Sequence, residues 1–74
     1  MTKVEDFKKR NGIITDIYTE KEYGFIHQED GMVVFFHANG VCIPSFEHLR
    51  EGYRVEYMTT AAKKGLKAIG VSVI

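Results

Sequence analysis

Residues 21–37 read KEYGFIHQEDGMVVFFH, and this stretch decides the fold that we expect. Two short runs rich in aromatic and β-branched residues, 23–28 and 32–37, flank the sequence Glu29-Asp30-Gly31. Asp-Gly between two apolar runs is among the strongest local signals for a β-hairpin. The stretch therefore predicts two antiparallel strands that are joined by a tight turn.

The alternation of side chains along a strand divides this hairpin into two faces. One face, called the ring face below, carries Tyr23, Phe25, Phe35 and His37. The other face carries Ile26, Val34 and Phe36. If this second set fills the core, the ring face is an exposed apolar patch, which usually marks a binding surface. Alternation alone leaves the opposite arrangement open, with the rings in the core and the aliphatic set outside.

The remaining sequence predicts three further strands and no long helix. Short β-branched and aromatic runs occupy residues 12–18, 53–60 and 66–74, and a longer, partly packed connection is expected over residues 38–51. Five short strands in so small a chain leave exposed edges unless the sheet closes. We therefore expect an all-β, five-stranded antiparallel barrel of the oligonucleotide-binding type (OB-fold) over residues 12–74, preceded by an N-terminal arm of unassigned structure over residues 1–11.

The composition fits one small folded domain, because 45% of the 74 residues are hydrophobic and 27% are charged. Ten Lys and Arg residues balance ten Asp and Glu residues, and no net positive field marks a polyanionic partner. Proteins that bind single strands draw much of their affinity from base stacking. Zero net charge therefore does not exclude nucleic-acid binding.

The single cysteine, Cys42, cannot form a disulfide within the chain, which favours a reducing, cytoplasmic environment. We expect it to be a small packed thiol. No basic segment followed by an apolar run resembles a secretion signal, and no apolar stretch reaches the ~20 residues that span a bilayer. The sequence predicts no membrane segment.

Catalytic and metal-binding patterns are also missing from the sequence. His27, His37 and His48 lack the spacing of zinc ligands, and Cys42 has no second cysteine nearby. The glycines are dispersed and form no phosphate-binding loop. We therefore expect no metal, no cofactor, no small-molecule substrate and no enzymatic activity.

Two motifs in the hairpin resemble those of a known family. Residues 21–26, KEYGFI, resemble the first ribonucleoprotein motif of the cold-shock domain family, and residues 34–37, VFFH, are similar to the second. The resemblance extends over residues 12–73. It implies an OB-fold barrel that binds single-stranded RNA or DNA with little sequence preference, as an RNA chaperone or a modulator of transcription or translation. The site residues that it implies are Lys21, Tyr23, Phe25, Phe35, His37, Phe46 and Lys64.

The chain also departs from the family pattern. Asp16 stands where the family usually has a tryptophan, Ala38 where it usually has an aromatic residue, and Lys21-Glu22-Tyr23 replaces a Lys-Gly-aromatic turn. Each stacked base contributes roughly 1–3 kcal/mol, and two missing rings would remove about 2–6 kcal/mol. The sequence thus predicts weaker or more selective binding. The alternative is a protein-interaction barrel with a decayed nucleic-acid surface, which forms a weak homodimer.

Overall fold

The computed structural model of the chain describes residues 9–43, 45–63 and 65–74. It contains six β-strands and two short 3-10 helices, the latter at Ala38–Gly40 and Phe46–His48. The strands are β1 (Arg10–Tyr18), β2 (Tyr23–Gln28), β3 (Val33–His37), β4 (Val41–Ile43), β5 (Arg54–Ala62) and β6 (Gly65–Val73). Every strand expected from the sequence is present, with boundaries that differ by at most two residues.

Five of these strands close into a barrel, as predicted. The order β3-β2-β1-β5-β6 is antiparallel at every neighbouring pair, and a pairing between β3 and β6 closes the circle. This closing pairing is parallel and consists of two residue pairs, Phe35 with Lys67 and Phe36 with Ala68. The antiparallel description therefore holds for the order of these five strands but not for the contact that closes the barrel.

The connection after β3 is more regular than the sequence predicts. It contains β4, which pairs in parallel with β6 through Val41 and Ile43, in addition to the two 3-10 helices. Val41 packs against the core, whereas Cys42 is exposed. The prediction of a packed thiol is wrong, because alternation in this strand turns Cys42 outward when Val41 packs inward.

Among the described residues, nine buried apolar side chains form the core of the barrel. They are Ile14, Ile26, Val34, Phe36, Leu49, Val55, Tyr57, Ala68 and Val71. Ile26, Val34 and Phe36 are 0% exposed, so the aliphatic face of the hairpin points inward. The alternative in which the rings fill the core is therefore excluded.

A β-bulge interrupts β1 next to the hairpin. Ile14 pairs with Ile26, and Asp16 pairs with Phe25, the residue adjacent to Ile26 in β2. Two residues along β1 thus correspond to one residue along β2, which leaves Thr15 as the extra residue. Beyond the bulge, Ile17 packs against the core and Tyr18 is exposed. The bulge thus turns Asp16 and Tyr18 to the outside of the barrel.

A polar pair completes the core at the end of β2. Tyr57 is buried and its hydroxyl donates to Oε1 of Gln28 at 2.8 Å, while Nε2 of Gln28 donates to Oδ1 of Asp30 at 3.3 Å. Burial raises the pKa of Tyr57 to about 12. Hydrogen bonds from the Met32 amide and from the Gln28 side chain lower the pKa of Asp30.

Candidate nucleic-acid interface

The β2–β3 hairpin fixes the position of the ring face. Phe25 lies opposite Phe35 and Tyr23 lies opposite His37, which places all four side chains side by side on the outer surface. The turn contains Gly31 at φ +92°, a conformation that glycine adopts readily. All four ring-face residues are half-buried. The structure therefore brings together the four residues that the hairpin pattern predicts.

A close contact between strands supports this face from behind. A Cβ atom on Gly24 would collide with the carbonyl oxygen of Asp16 and would lie 2.8 Å from the ring of Phe36. Real side chains do not tolerate such separations, so glycine lets β1 and the Phe36 ring approach β2 closely. The ring face consequently lies over a tightly packed part of the barrel wall.

Tyr18 joins three of these residues in one group of contacting rings. Its ring centroid lies 5.1 Å from that of Tyr23 and 6.4 Å from that of Phe25. Tyr23 and Phe25 each contact Phe35, at 5.6 Å and 6.0 Å. These separations are typical of interacting aromatic pairs. We call Tyr18, Tyr23, Phe25 and Phe35 the ring cluster.

Sequence reasoning missed Tyr18 as a site residue. Strict alternation from the buried Ile14 would turn Tyr18 inward, and the bulge at Thr15 reverses this direction. A usable signal in the sequence is the position of Tyr18 and Tyr23 on either side of the turn formed by residues 19–22, and the structure pairs these two tyrosines. Two tyrosines that flank a four-residue turn lie opposite each other in a hairpin and share a face.

An open groove of about 620 Å³ runs beside the ring cluster. One wall is the outer surface of the β2–β3 hairpin and the other is the turn between β5 and β6. Met32 and Val33, which are 45% and 49% exposed, extend the apolar surface toward the hairpin tip. The groove is lined by Tyr23, Phe25, Met32, Val33, Phe35, Ala62, Lys63, Gly65 and Leu66. The lining is therefore mainly apolar.

Lysine side chains border this apolar surface. Lys63 lines the groove, and Lys67 pairs with Phe35 in the contact that closes the barrel, which places both on the outer face. Lys21 is exposed in the turn that precedes β2. Lys64, which the resemblance implies as a site residue, lies outside the described residues. These lysines bring positive charge near the ring cluster although the whole chain is neutral.

The turn before β2 contains a strained residue. Glu22 has φ +60°, in the left-handed region that favours glycine. Its amide donates to the carbonyl oxygen of Tyr18 at 2.8 Å, and its own carbonyl accepts from the amide of Ala38 at 2.9 Å. These bonds hold Glu22 where the family pattern has glycine.

His37 lies on the ring face opposite Tyr23, whereas Phe46 packs against the core. Nδ1 of His37 accepts from the amide of Asn39 at 3.1 Å, which leaves the proton of the neutral ring on Nε2 as a donor. Phe46 is half-buried and its ring contacts Phe36 of the core at a centroid distance of 6.1 Å. His37 therefore belongs to the ring face, whereas Phe46 lies on the core side of the connection.

The two positions that lack a family ring differ in their surroundings. Asp16 is half-buried opposite Phe25, and its Oδ2 accepts from the hydroxyl of Thr15 at 3.1 Å. Ala38 is half-buried at the start of a 3-10 helix. One position thus replaces a ring with a charge, and the other replaces it with a methyl group.

Other kinds of site are not seen in the part of the chain that the structure describes. No group of three or more His, Cys, Asp or Glu side chains is arranged to hold a metal ion. Within the same residues, no helix has the length and apolar character needed to cross a bilayer. The ring cluster and its groove are therefore the features of the described surface that best fit a binding function.

Known proteins are similar to this chain in sequence and in fold. Residues 10–74 match the 'Cold-shock' DNA-binding domain family. Cold shock protein CapB of Pseudomonas syringae pv. tomato is 32% identical over 66 residues, which cover 89% of this chain and 96% of that protein. The major cold shock protein of Micrococcus luteus is 39% identical over 62 residues, which cover 82% of this chain and 92% of its own length.

A solved structure agrees at the level of the fold. Drosophila Unr CSD456 superposes with a TM-score of 0.76 at 23% identity, covering 92% of this chain and 27% of that one. The family match spans every strand of the barrel and both hairpin motifs. The family binds nucleic acids and is not a family of enzymes. The chain therefore belongs to the cold-shock domain family.

Proposed function

We propose that this protein binds single-stranded RNA or DNA by stacking bases on the ring cluster, with an affinity below that of a typical family member. The observation that carries the proposal is the ring cluster itself, four contacting aromatic rings on the outer wall of the barrel. Flat rings of this kind stack on unpaired bases without a strong sequence preference.

Lysines around the ring cluster supply the second part of the interaction. Lys21, Lys63 and Lys67 border the rings on different sides, where they meet the phosphates of a strand whose bases lie on the cluster. His37 adds a donor through Nε2 at the far end of the ring face. An RNA-chaperone role follows from binding unpaired bases, because a ligand of single strands competes with weak RNA structure.

The reduced affinity follows from the two replaced rings. Asp16 introduces a negative charge beside Phe25, and Ala38 offers no ring. Tyr18 compensates in part, because it adds a platform next to Tyr23. One gain against two losses leaves a net deficit of about one stacked base, or roughly 1–3 kcal/mol.

Truncation of one platform tests the proposal. Phe35→Ala removes the ring that contacts both Tyr23 and Phe25 and is expected to weaken binding of a pyrimidine-rich single strand by about 1–3 kcal/mol. Tyr53→Ala is the matched control, because Tyr53 is 40% exposed but does not line the groove. Titration at low salt, with circular dichroism to verify folding, provides the measurement. Equal losses in both variants, or no binding by the unchanged protein at tens of micromolar, contradict the proposal.

A second candidate function is self-association through the same surface. Met32 and Val33 are exposed beside the ring cluster, and such an apolar surface suits a small interface between two copies. Salt dependence separates the two functions. If the three lysines contact phosphates, log K falls with log salt at a slope of about −2, whereas a contact between apolar surfaces changes little. A salt-insensitive dimer without oligonucleotide binding favours this second function.

A further inference from the structure

Asp16 places a carboxylate beside the ring cluster, where base stacking alone gives it no role. It lies opposite Phe25, and Tyr18, two residues further along β1, lies opposite Tyr23. The bulge at Thr15 turns Asp16 and Tyr18 to the same outer face. The carboxylate therefore borders the surface on which a stacked base lies.

The Asp16 carboxylate retains capacity to accept further hydrogen bonds. The hydroxyl of Thr15 donates to Oδ2, which uses one of the roughly four acceptor positions of a carboxylate. Within the described part of the chain, an ion pair joins Lys9 to Glu56, and no Lys or Arg side chain forms an ion pair with Asp16. The side chain is half-buried, and the Thr15 bond restricts its orientation. It is thus a positioned acceptor at the edge of the cluster.

The four bases differ in what they offer to such an acceptor. Guanine presents two adjacent donors, N1–H and N2–H, which match the two oxygens of one carboxylate. Uracil and thymine present one N–H between two carbonyl oxygens, which repel a carboxylate. Adenine and cytosine each place one amino group beside a ring nitrogen that accepts. A charge-assisted pair of parallel hydrogen bonds therefore forms with guanine alone.

We infer that Asp16 makes the ring cluster selective for guanine in single strands. The inference rests on the proposed function, because the carboxylate reads a base only if that base is stacked on the cluster. The Asp16 carboxylate repels phosphates and the carbonyl oxygens of uracil and thymine, and it accepts hydrogen bonds from guanine. The same residue therefore lowers the affinity for single strands in general and creates a preference for guanine. Unpaired bases are the form in which this edge is accessible to a protein.

The test compares labelled seven-nucleotide DNA strands that differ at their central base. The first is all thymidine, the second carries one central guanine, and the third carries inosine, which lacks the N2 amino group. The unchanged protein is expected to bind the guanine strand about tenfold more tightly than the thymidine strand. The inosine strand is expected to lose most of this gain, although its purine ring still stacks.

Two variants separate the carboxylate from other causes of preference. Asp16→Asn keeps the size of the side chain, and is expected to reduce the guanine preference to about twofold while binding the thymidine strand more tightly. Glu29→Gln makes the same change of charge at an exposed residue that lines the crevice near Gly12 and His27 and does not line the groove. It is expected to retain the full preference.

The outcomes distinguish this inference from the function on which it rests. Binding of all three strands with equal affinity, or a preference that survives in Asp16→Asn, overturns the guanine selectivity and leaves nucleic-acid binding in place. No binding of any strand overturns the proposed function and the selectivity together. Circular dichroism of each variant verifies folding, and Asp16→Ala provides a second carboxylate-free protein, in which a surviving preference likewise overturns the inference.

Discussion

Phe35 and Phe36 are neighbours in β3, yet they serve opposite sides of the barrel wall. Phe36 is 0% exposed and contacts core side chains, whereas Phe35 is half-buried among the rings of the outer face. Full burial of a large apolar side chain contributes about 1.5–3 kcal/mol, and Phe35 forgoes part of this contribution. The inner face therefore stabilises the fold, while the outer face keeps apolar surface available to a ligand.

Truncation of the inner ring is expected to have the largest effect on stability. Phe36→Ala leaves a cavity in the core and should lower the free energy of unfolding by about 3–5 kcal/mol, a large fraction of the total for a small domain. Urea denaturation followed by circular dichroism measures this loss. Phe35→Ala is the comparison variant and should lose clearly less. Equal losses would show that the two faces do not differ in the way described above.

The polar end of the inner face predicts a dependence on alkaline pH. The pKa of Tyr57 is raised to about 12, above the value near 10 of an unfolded chain. The stability that the protonated Tyr57 contributes is therefore complete below pH 10 and is lost as pH rises toward 12. A shift of this size corresponds to roughly 2–3 kcal/mol.

Tyr57→Phe provides the test of this dependence. The variant should be less stable at pH 7, because it leaves Oε1 of Gln28 without its donor. Between pH 10 and pH 12 it should lose less stability than the unchanged protein. Urea unfolding at several pH values measures both quantities, and parallel pH profiles for the two proteins would contradict the prediction.

On the outer face, Tyr18 should contribute to binding more than to folding. Tyr18→Ala removes a platform that contacts Tyr23 and Phe25, and binding of a single strand should weaken by about 1–3 kcal/mol. Tyr18→Phe keeps the ring and should bind nearly as tightly as the unchanged protein. Unchanged affinity in Tyr18→Ala, measured by fluorescence anisotropy, would remove Tyr18 from the interface.

A substitution at Glu22, in the turn between Tyr18 and Tyr23, is expected to have the smallest effect, and it should raise stability. Glu22→Gly relieves the left-handed conformation at φ +60° and should stabilise the protein by about 1 kcal/mol. Glu22→Gln removes the same charge but keeps the Cβ atom, so it should leave stability nearly unchanged. A gain in thermal stability in both variants would point to charge, not to backbone strain, as the cause.

The hairpin and the barrel could be predicted from the sequence because their signals are local. Asp30-Gly31 specifies the turn, and alternation in residues 23–28 and 32–37 separates the inner from the outer face. The burial of Ile26 and Phe36 then follows from the need to fill one interior. The orientation of Tyr23, Phe25, Phe35 and His37 is therefore one of two arrangements that the hairpin pattern predicts.

The features that escaped prediction depend on long-range geometry. The bulge at Thr15 shifts the register of β1, and alternation counted through β1 does not reveal it, so alternation alone gives the wrong direction for Tyr18. The pairing of Lys67 with Phe35 joins β6 to β3, two strands that are distant in sequence, so this partner could not be read from the sequence. Exposure of Cys42 likewise depends on the short strand β4, whose pairing with β6 has no signal in three residues.

The closing contact between β3 and β6 also determines where the barrel opens most easily. The contact between β3 and β6, called the seam below, consists of two parallel residue pairs, whereas β5 and β6 share seven antiparallel pairs. Local opening of a short ladder costs less free energy than opening of a long one. Phe35 lies directly on the seam. A single-stranded nucleic acid bound across the seam would hold β3 and β6 together. Slower hydrogen exchange of the backbone amides at the seam would then report occupancy of the groove.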